Sequence, residues 1–135
     1  MQAFSIRFLD HVAIRVKDLD ASAAWYQHVL GLKKYQLEAW GPFPIFLLAG
    51  QTGIALFPAH ENDPLPDPKS KHVKIDHFAF NVDKDNFEKA KKRYTHLELD
   101  FVFQDHQYFH SIYTNDPDGH IVELTTLVVD EASFY

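Results

Sequence analysis

The 135-residue chain contains no cysteine. That excludes disulfides, thiolate metal sites and a cysteine nucleophile, and it fits a cytoplasmic protein. No apolar run approaches the roughly 20 residues that a membrane-spanning helix needs, so no membrane partner is expected. Met1–Arg7 leads into neither an apolar stretch nor a small-residue cleavage site, so no secretory signal is expected. Positive charge is also scarce, with 13 Lys and Arg against 19 Asp and Glu and a formal net charge of −6. The single basic cluster, Lys89, Lys91, Lys92 and Arg93, falls in a helical pattern and reads as a solvated face. A nucleic-acid partner would need a basic stripe, so none is expected. What the chain does have is 46% hydrophobic residues, twelve Phe, six Tyr and nine His. This is enough apolar matter for one compact domain spanning 1–135.

The segment Leu9-Asp10-His11-Val12-Ala13-Ile14-Arg15-Val16 returns as Ile75-Asp76-His77-Phe78-Ala79-Phe80-Asn81-Val82, 66 residues later. The same offset carries Gly53 onto Gly119, each ahead of an apolar run. Two anchors at one spacing point to a duplicated module. In each copy an alternating stretch (7–16; 73–82) reads as a strand. Val12, Ile14 and Val16 lie on one side of the first, and His11, Ala13 and Arg15 on the other. A helix follows each strand. The first is capped by Asp18 or Asp20 and closed by Gly31, with Leu19, Ala23, Tyr26 and Leu30 on its apolar stripe. The second runs from about Asp85 to His96 over Phe87, Ala90, Tyr94 and Leu97. Three short strands then close each copy, near 33–40, 43–49 and 53–58, and near 100–105, 108–114 and 120–128. Asp116-Pro117-Asp118-Gly119 is the turn between the last two. The fold class expected is α+β, two tandem βαβββ modules (about 7–58 and 73–128) forming a curved mixed sheet around a metal site. A linker of about 59–72, holding Pro64, Pro66 and Pro68, joins them, and 129–135 is a tail or an oligomer contact.

With Asp10-His11-Val12-Ala13, Asp76-His77-Phe78-Ala79 and Tyr113-Thr114-Asn115-Asp116-Pro117-Asp118-Gly119-His120-Ile121-Val122-Glu123-Leu124, the chain resembles the vicinal oxygen chelate superfamily. That superfamily includes glyoxalase I, bleomycin-resistance proteins, fosfomycin-resistance enzymes and extradiol dioxygenases. The resemblance covers residues 7–128.

His11 and His77 sit at equivalent places of the repeat, and Glu123 stands in an otherwise apolar strand. A carboxylate there costs several kcal/mol unless it is paired or metal-bound. Two imidazoles and one carboxylate meet the description of a facial metal triad with open positions, and the resemblance assigns the metal to the same three residues. A divalent ion is expected, Fe(II) in preference to Mn(II) or Zn(II). Asp10 and Asp76 read as turn or surface residues. The superfamily often has a fourth ligand on the last strand of the first module. Here that position is Phe57 by offset or Ala55 by local context, and both are apolar.

The resemblance separates three activities. Fosfomycin enzymes match at Ser111 and Tyr113, but they clamp a phosphonate with cationic side chains, and nothing after Arg93 is Lys or Arg. The extradiol pattern is met by His106, Ile112, Tyr113, Asp116, Pro117, Gly119 and Glu123, with Gln104 as a departure. The reading favoured from sequence is a metal-dependent extradiol-type dioxygenase acting on a small aromatic or vicinal-oxygen substrate. Tyr113 would bond a substrate oxygen and His106 would exchange protons. The alternatives are a glyoxalase-like lyase, epimerase or thiol transferase, and a metal-free bleomycin-resistance-like binding protein. His110 differs in strand parity from Tyr113 and should face away. Trp40, Phe46, Phe57, Phe101, Phe103 and Phe109 are candidates for an aromatic wall, though core packing accounts for any single one. Arg15 could pair a substrate carboxylate, or serve in a surface ion pair. A homodimer is implied by the resemblance.

Overall fold

The computed structural model describes residues 3–65 and 67–135, so Pro66 of the expected linker lies outside the described residues. The chain divides into two units, Met1–Asp63 and Pro64–Tyr135, and the division falls inside that linker. Each unit carries one βαβββ pass.

In the first unit β1 (His11–Val16) leads into α1 (Leu19–Leu30), followed by β2 (Lys33–Tyr35), β3 (Ile45–Ala49) and β4 (Thr52–Pro58). Asp18 starts the helix, its carboxylate accepting the Ala21 N–H at 3.0 Å. Gly31 ends it at φ 67°, a left-handed conformation that costs a side-chain-bearing residue energy. Ser22, Ala23, Tyr26 and Val29 form the buried face of α1, which packs on β3 and β4. Against it stand Ile14 and Val16 of β1, Ile45 and Leu47 of β3, and Ile54 and Leu56 of β4, all buried. Each such side chain contributes about 1.5–3 kcal/mol of burial. The sheet order is β1-β4-β3-β2, with β1 parallel to β4 and the other pairs antiparallel.

The second unit repeats this with β5 (Phe78–Asn81), α2 (Lys84–His96), β6 (Val102–Asp105), β7 (Phe109–Asn115) and β8 (Ile121–Leu127), in the order β5-β8-β7-β6. Asp83 caps α2 through the Asn86 N–H at 2.7 Å, and Phe87 and Tyr94 are its buried residues. The β7–β8 turn is organised by Asp116, which is itself buried. Its Oδ1 accepts the N–H groups of Asp118 and His120, each at 2.9 Å. Gly119 completes the turn at φ 89°. The α+β class and the two tandem modules are as expected, and the mixed pairing takes the form of two four-stranded sheets.

Three details differ from the sequence reading. Residues 7–10 and 73–77 alternate like strands but lie outside the ladders. β1 begins opposite Gly53, whose N–H donates to the Asp10 carbonyl at 3.1 Å, and the chain before β4 turns away at Gly50 and Gln51. Residues 38–40 form a short 3-10 helix (Glu38–Trp40) in place of the end of a strand. The repeat also lengthens along the chain. Val12 pairs with Ile54 and Phe78 with Val122, so Gly53 matches Ile121, and Gly119 belongs to the longer turn of the second unit.

Candidate active site

Glu123 is the centre of the second unit's site. Its neighbours in the ladder are Ala79 on β5 and Tyr113 on β7. It lies on the sheet face away from the buried Val122, Leu124 and Thr126, yet it is only 7% exposed because neighbouring side chains cover it. His77 stands one residue before β5, and its Nε2 lies 2.9 Å from Glu123 Oε1. The other ring nitrogen, Nδ1, lies 2.8 Å from Asp76 Oδ2. This contact holds the Asp76 carboxyl below its ordinary pKa, the hydrogen bond to His77 being the largest cause. A carboxylate on Nδ1 fixes the ring and turns Nε2 toward the site, the arrangement by which metal-ligating histidines are oriented.

Tyr113 completes the cluster. Its ring meets the His77 ring edge-on at 5.7 Å, and its Oη lies 2.8 Å from His106 Nε2. Burial raises the Tyr113 pKa, and the Glu123 carboxylate raises it further. The phenol therefore remains a proton donor at neutral pH. His106 sits in the β6–β7 turn, where its N–H donates to the Phe109 carbonyl at 2.8 Å. Below Tyr113 on the same strand face, Ser111 Oγ donates to Thr125 Oγ1 at 2.9 Å. A cavity of about 510 Å³ opens beside His77 and Tyr113, with Phe101, Val102 and Ile121 among its walls.

The first unit shows the corresponding half in a different state. His11 Nδ1 lies 2.7 Å from Asp10 Oδ1, repeating the Asp76–His77 contact. Its ring packs on Phe46 at 5.0 Å, and Phe46 packs on Trp40 at 5.4 Å. The place of Glu123 is taken by Ala55, since Ala13 pairs with Ala55 as Ala79 pairs with Glu123. Ala55 offers no donor atom. Within each unit, among the described residues, no three His, Asp or Glu side chains gather as a ready metal site. The second unit brings together the pair His77–Glu123, whose 2.9 Å separation suits two donors to one ion.

Asp10 and Asp76 are surface residues as the sequence suggests, their side chains 73% and 61% exposed, and what sequence reasoning missed is the contact of each with the imidazole that follows it. The remaining candidates separate cleanly. The β7–β8 register runs without interruption, so His110 faces away from Glu123, with its Nε2 3.6 Å from Asp105 Oδ1. Phe103 packs on Phe87 of α2 and on His110, away from the cavity. Phe109 packs on Phe134 of the C-terminal segment at 4.8 Å. Arg15 donates to the Pro58 carbonyl at 3.1 Å and lies over the Phe57 ring.

Residues 8–124 match the model of the Glyoxalase/Bleomycin resistance protein/Dioxygenase superfamily. The chain is 28% identical over 119 residues to a glutathione transferase FosA of Serratia marcescens, covering 88% of this chain and 80% of that one. It is 28% identical over 135 residues to a metallothiol transferase FosB of Lysinibacillus sphaericus, covering 97% and 91%. The crystal structure of a glyoxalase/dioxygenase from Nostoc punctiforme superposes with a TM-score of 0.79 at 23% identity, covering 96% of this chain and 97% of that one. That likeness shows the fold. With the match running through both Asp-His motifs and the Glu123 strand, the chain belongs to the glyoxalase/bleomycin resistance protein/dioxygenase superfamily.

Proposed function

We propose that the chain is a divalent-metal-dependent transferase that joins a thiol to a small oxygen-bearing electrophile. The observation that carries the site is the buried Glu123 carboxylate facing His77 Nε2 at 2.9 Å, with Nδ1 already engaged by Asp76. The transferase chemistry is supported by the relatives, whose names describe thiol and glutathione transfer along almost the whole chain. This replaces the ring-cleaving dioxygenase as the preferred reading, and with it the preference for iron, to which those relatives lend no support. His77 and Glu123 would hold the ion, and His11 is included as third ligand on the family resemblance. When bound, the ion would polarise a substrate oxygen.

In the transfer, the sulfur–carbon bond forms as a carbon–oxygen bond at the same carbon breaks. The proton given up by the thiol returns to the released oxygen, so the reaction adds and removes nothing else. Tyr113, held protonated by its surroundings, donates to that oxygen. His106, 2.8 Å from the phenol, returns a proton to it. We also take the two units as one domain acting on a small molecule, with a homodimer as the assembly and the cytoplasm as its place. Among the described residues no helix is long and apolar enough to cross a membrane.

Thiol consumption should be followed with glutathione and a panel of oxygenated electrophiles, using protein loaded with Mn(II), Mg(II), Zn(II) or, anaerobically, Fe(II). Metal-dependent loss of thiol that disappears in Glu123→Gln is the expected result. One observation favours ring cleavage as a second reading, namely the His106–Tyr113 contact at the positions of the extradiol pattern. Oxygen uptake with catechols by the iron form, without thiol consumption by any form, would overturn the transferase in its favour.

A further inference from the structure

The cavity beside His77 has a marked electrical character. Its lining includes two acidic residues, Asp76 and Asp100, and two carboxamide residues, Gln104 and Asn115, but no Lys or Arg; Lys74 and Lys71 act on Asp76 from outside the lining. The scarcity is general in this part of the chain, since residues 94–135 contain neither cation. Strands β6, β7 and β8 therefore have none to offer. We propose that this cavity receives an uncharged or cationic part of the substrate and turns away an anionic one.

The geometry of the wall supports a fixed, selective surface. The Asp100 carbonyl accepts the Thr114 hydroxyl at 2.8 Å, tying the start of the β6 edge to β7. Phe101 next to it packs edge-on against Tyr94 of α2 at 5.6 Å, so its ring is backed by the core. Phe101, Val102 and Ile121 suit a carbon skeleton, while the carboxamides of Gln104 and Asn115 both donate and accept, as a hydroxyl or amide would require. An anion entering here loses water and meets like charge, and both effects oppose it. A divalent ion at His77 and Glu123 would offset the charge of oxygens bound to it, but not that of a second anionic group seated near Asp100. An anionic phosphonate is thus a poor fit, and an alcohol, amide or amine is a good one. The inference rests on the proposed site at His77 and Glu123, and it is independent of whether the reaction is thiol transfer.

Three probes share a chelating diol and differ in the charge of the remaining group: dopamine (cationic), methylcatechol (uncharged) and protocatechuate (anionic). Their affinities for the full chain loaded with Mn(II) should be measured by calorimetry, beside Asp100→Asn and Asp100→Lys. Asp100 is exposed, and circular dichroism checks that both variants fold. Protocatechuate is expected to bind at least about tenfold more weakly than methylcatechol, and dopamine at least as tightly. The gap should narrow in Asp100→Asn and close or invert in Asp100→Lys. Protocatechuate binding as tightly as methylcatechol, a gap indifferent to both substitutions, or no binding of any probe would overturn the proposal. Retention of the charge order by a protein that consumes no thiol would overturn the transferase reading alone.

Discussion

Asp76 Oδ2 lies 2.8 Å from His77 Nδ1, and one module earlier Asp10 Oδ1 lies 2.7 Å from His11 Nδ1. The duplicated dipeptide is thus a duplicated device, a carboxylate that fixes the tautomer and aim of the imidazole following it. Removing such a partner typically lowers metal affinity 10- to 100-fold. On the proposed ligand set, Asp76→Ala and Asp10→Ala are each expected to weaken Mn(II) binding by about that factor, with an unchanged thermal midpoint in the absence of metal. Titration calorimetry checks the first statement and differential scanning calorimetry the second.

Tyr113 and His106 should behave differently from the proposed ligands. Tyr113→Phe removes the donor without removing a metal contact, so kcat is expected to fall by about 100-fold or more while Mn(II) affinity holds. His106→Leu should produce a smaller loss in kcat that grows as buffer concentration falls, because the proton then returns from solvent. Equal loss of metal binding in either variant would contradict the assigned roles.

Gly53 is constrained by space and not by its backbone angle. A Cβ placed there would run into the Leu47 carbonyl oxygen, which is backbone of the neighbouring strand. Since that oxygen is fixed in the β3–β4 ladder, the two strands must part. Gly53→Ala is expected to cost about 2 kcal/mol or more, read from the urea midpoint. His11 pairs with Gly53 in the register, so the same change should also disturb the first module's imidazole.

Tyr94 supplies the pH-dependent test of stability. Its hydroxyl is buried without a hydrogen-bond partner, and burial pushes its pKa above the ordinary 10.0. The folded state therefore holds this proton more tightly than the unfolded chain does. The stability linked to it is fully present below about pH 10 and declines as pH rises past that value. Absorbance titration should show part of the tyrosine signal appearing only as the protein unfolds, and that part should be smaller in Tyr94→Phe. Tyr94→Phe removes a buried polar atom that satisfies nothing, so it should be neutral or stabilising by up to about 1 kcal/mol and should lessen the alkaline decline.

Periodicity made the architecture legible. Ile14 and Val16 face the core and His11, Ala13 and Arg15 do not, as alternation requires, and the capping residues mark both helices. His77, Glu123, Tyr113 and His106 were each marked as candidates in the sequence, but not the contacts of His77 with Glu123 and of His106 with Tyr113. Less legible was anything decided by where a ladder stops. Asp10 and Asp76 precede the first paired residues of their strands, so the rule that adjacent side chains point to opposite faces does not govern them, and each can turn back onto its own histidine. The counterpart of Glu123 was ambiguous for a similar reason. The turn around Asp116 is longer than the one at Gly50 and Gln51, and that shifts the repeat along the chain. Only the pairing of Ala13 with Ala55 resolves it. Residues 38–40 fold as a 3-10 turn because β2 ends at Tyr35, where its pairing with β3 stops at Phe46.

The match of Ala55 to Glu123 bears on how a doubled scaffold divides its labour. Both modules retain the histidine and its aspartate, but only one retains the carboxylate, and an alanine at the other place is small enough to impose nothing. The first module sets its histidine against Phe46 and, through it, Trp40, while the second sets its histidine against a carboxylate. Two copies of one motif thus stand in different surroundings, aromatic in the first unit and acidic in the second, and a substitution beside one histidine leaves the other's own neighbours in place.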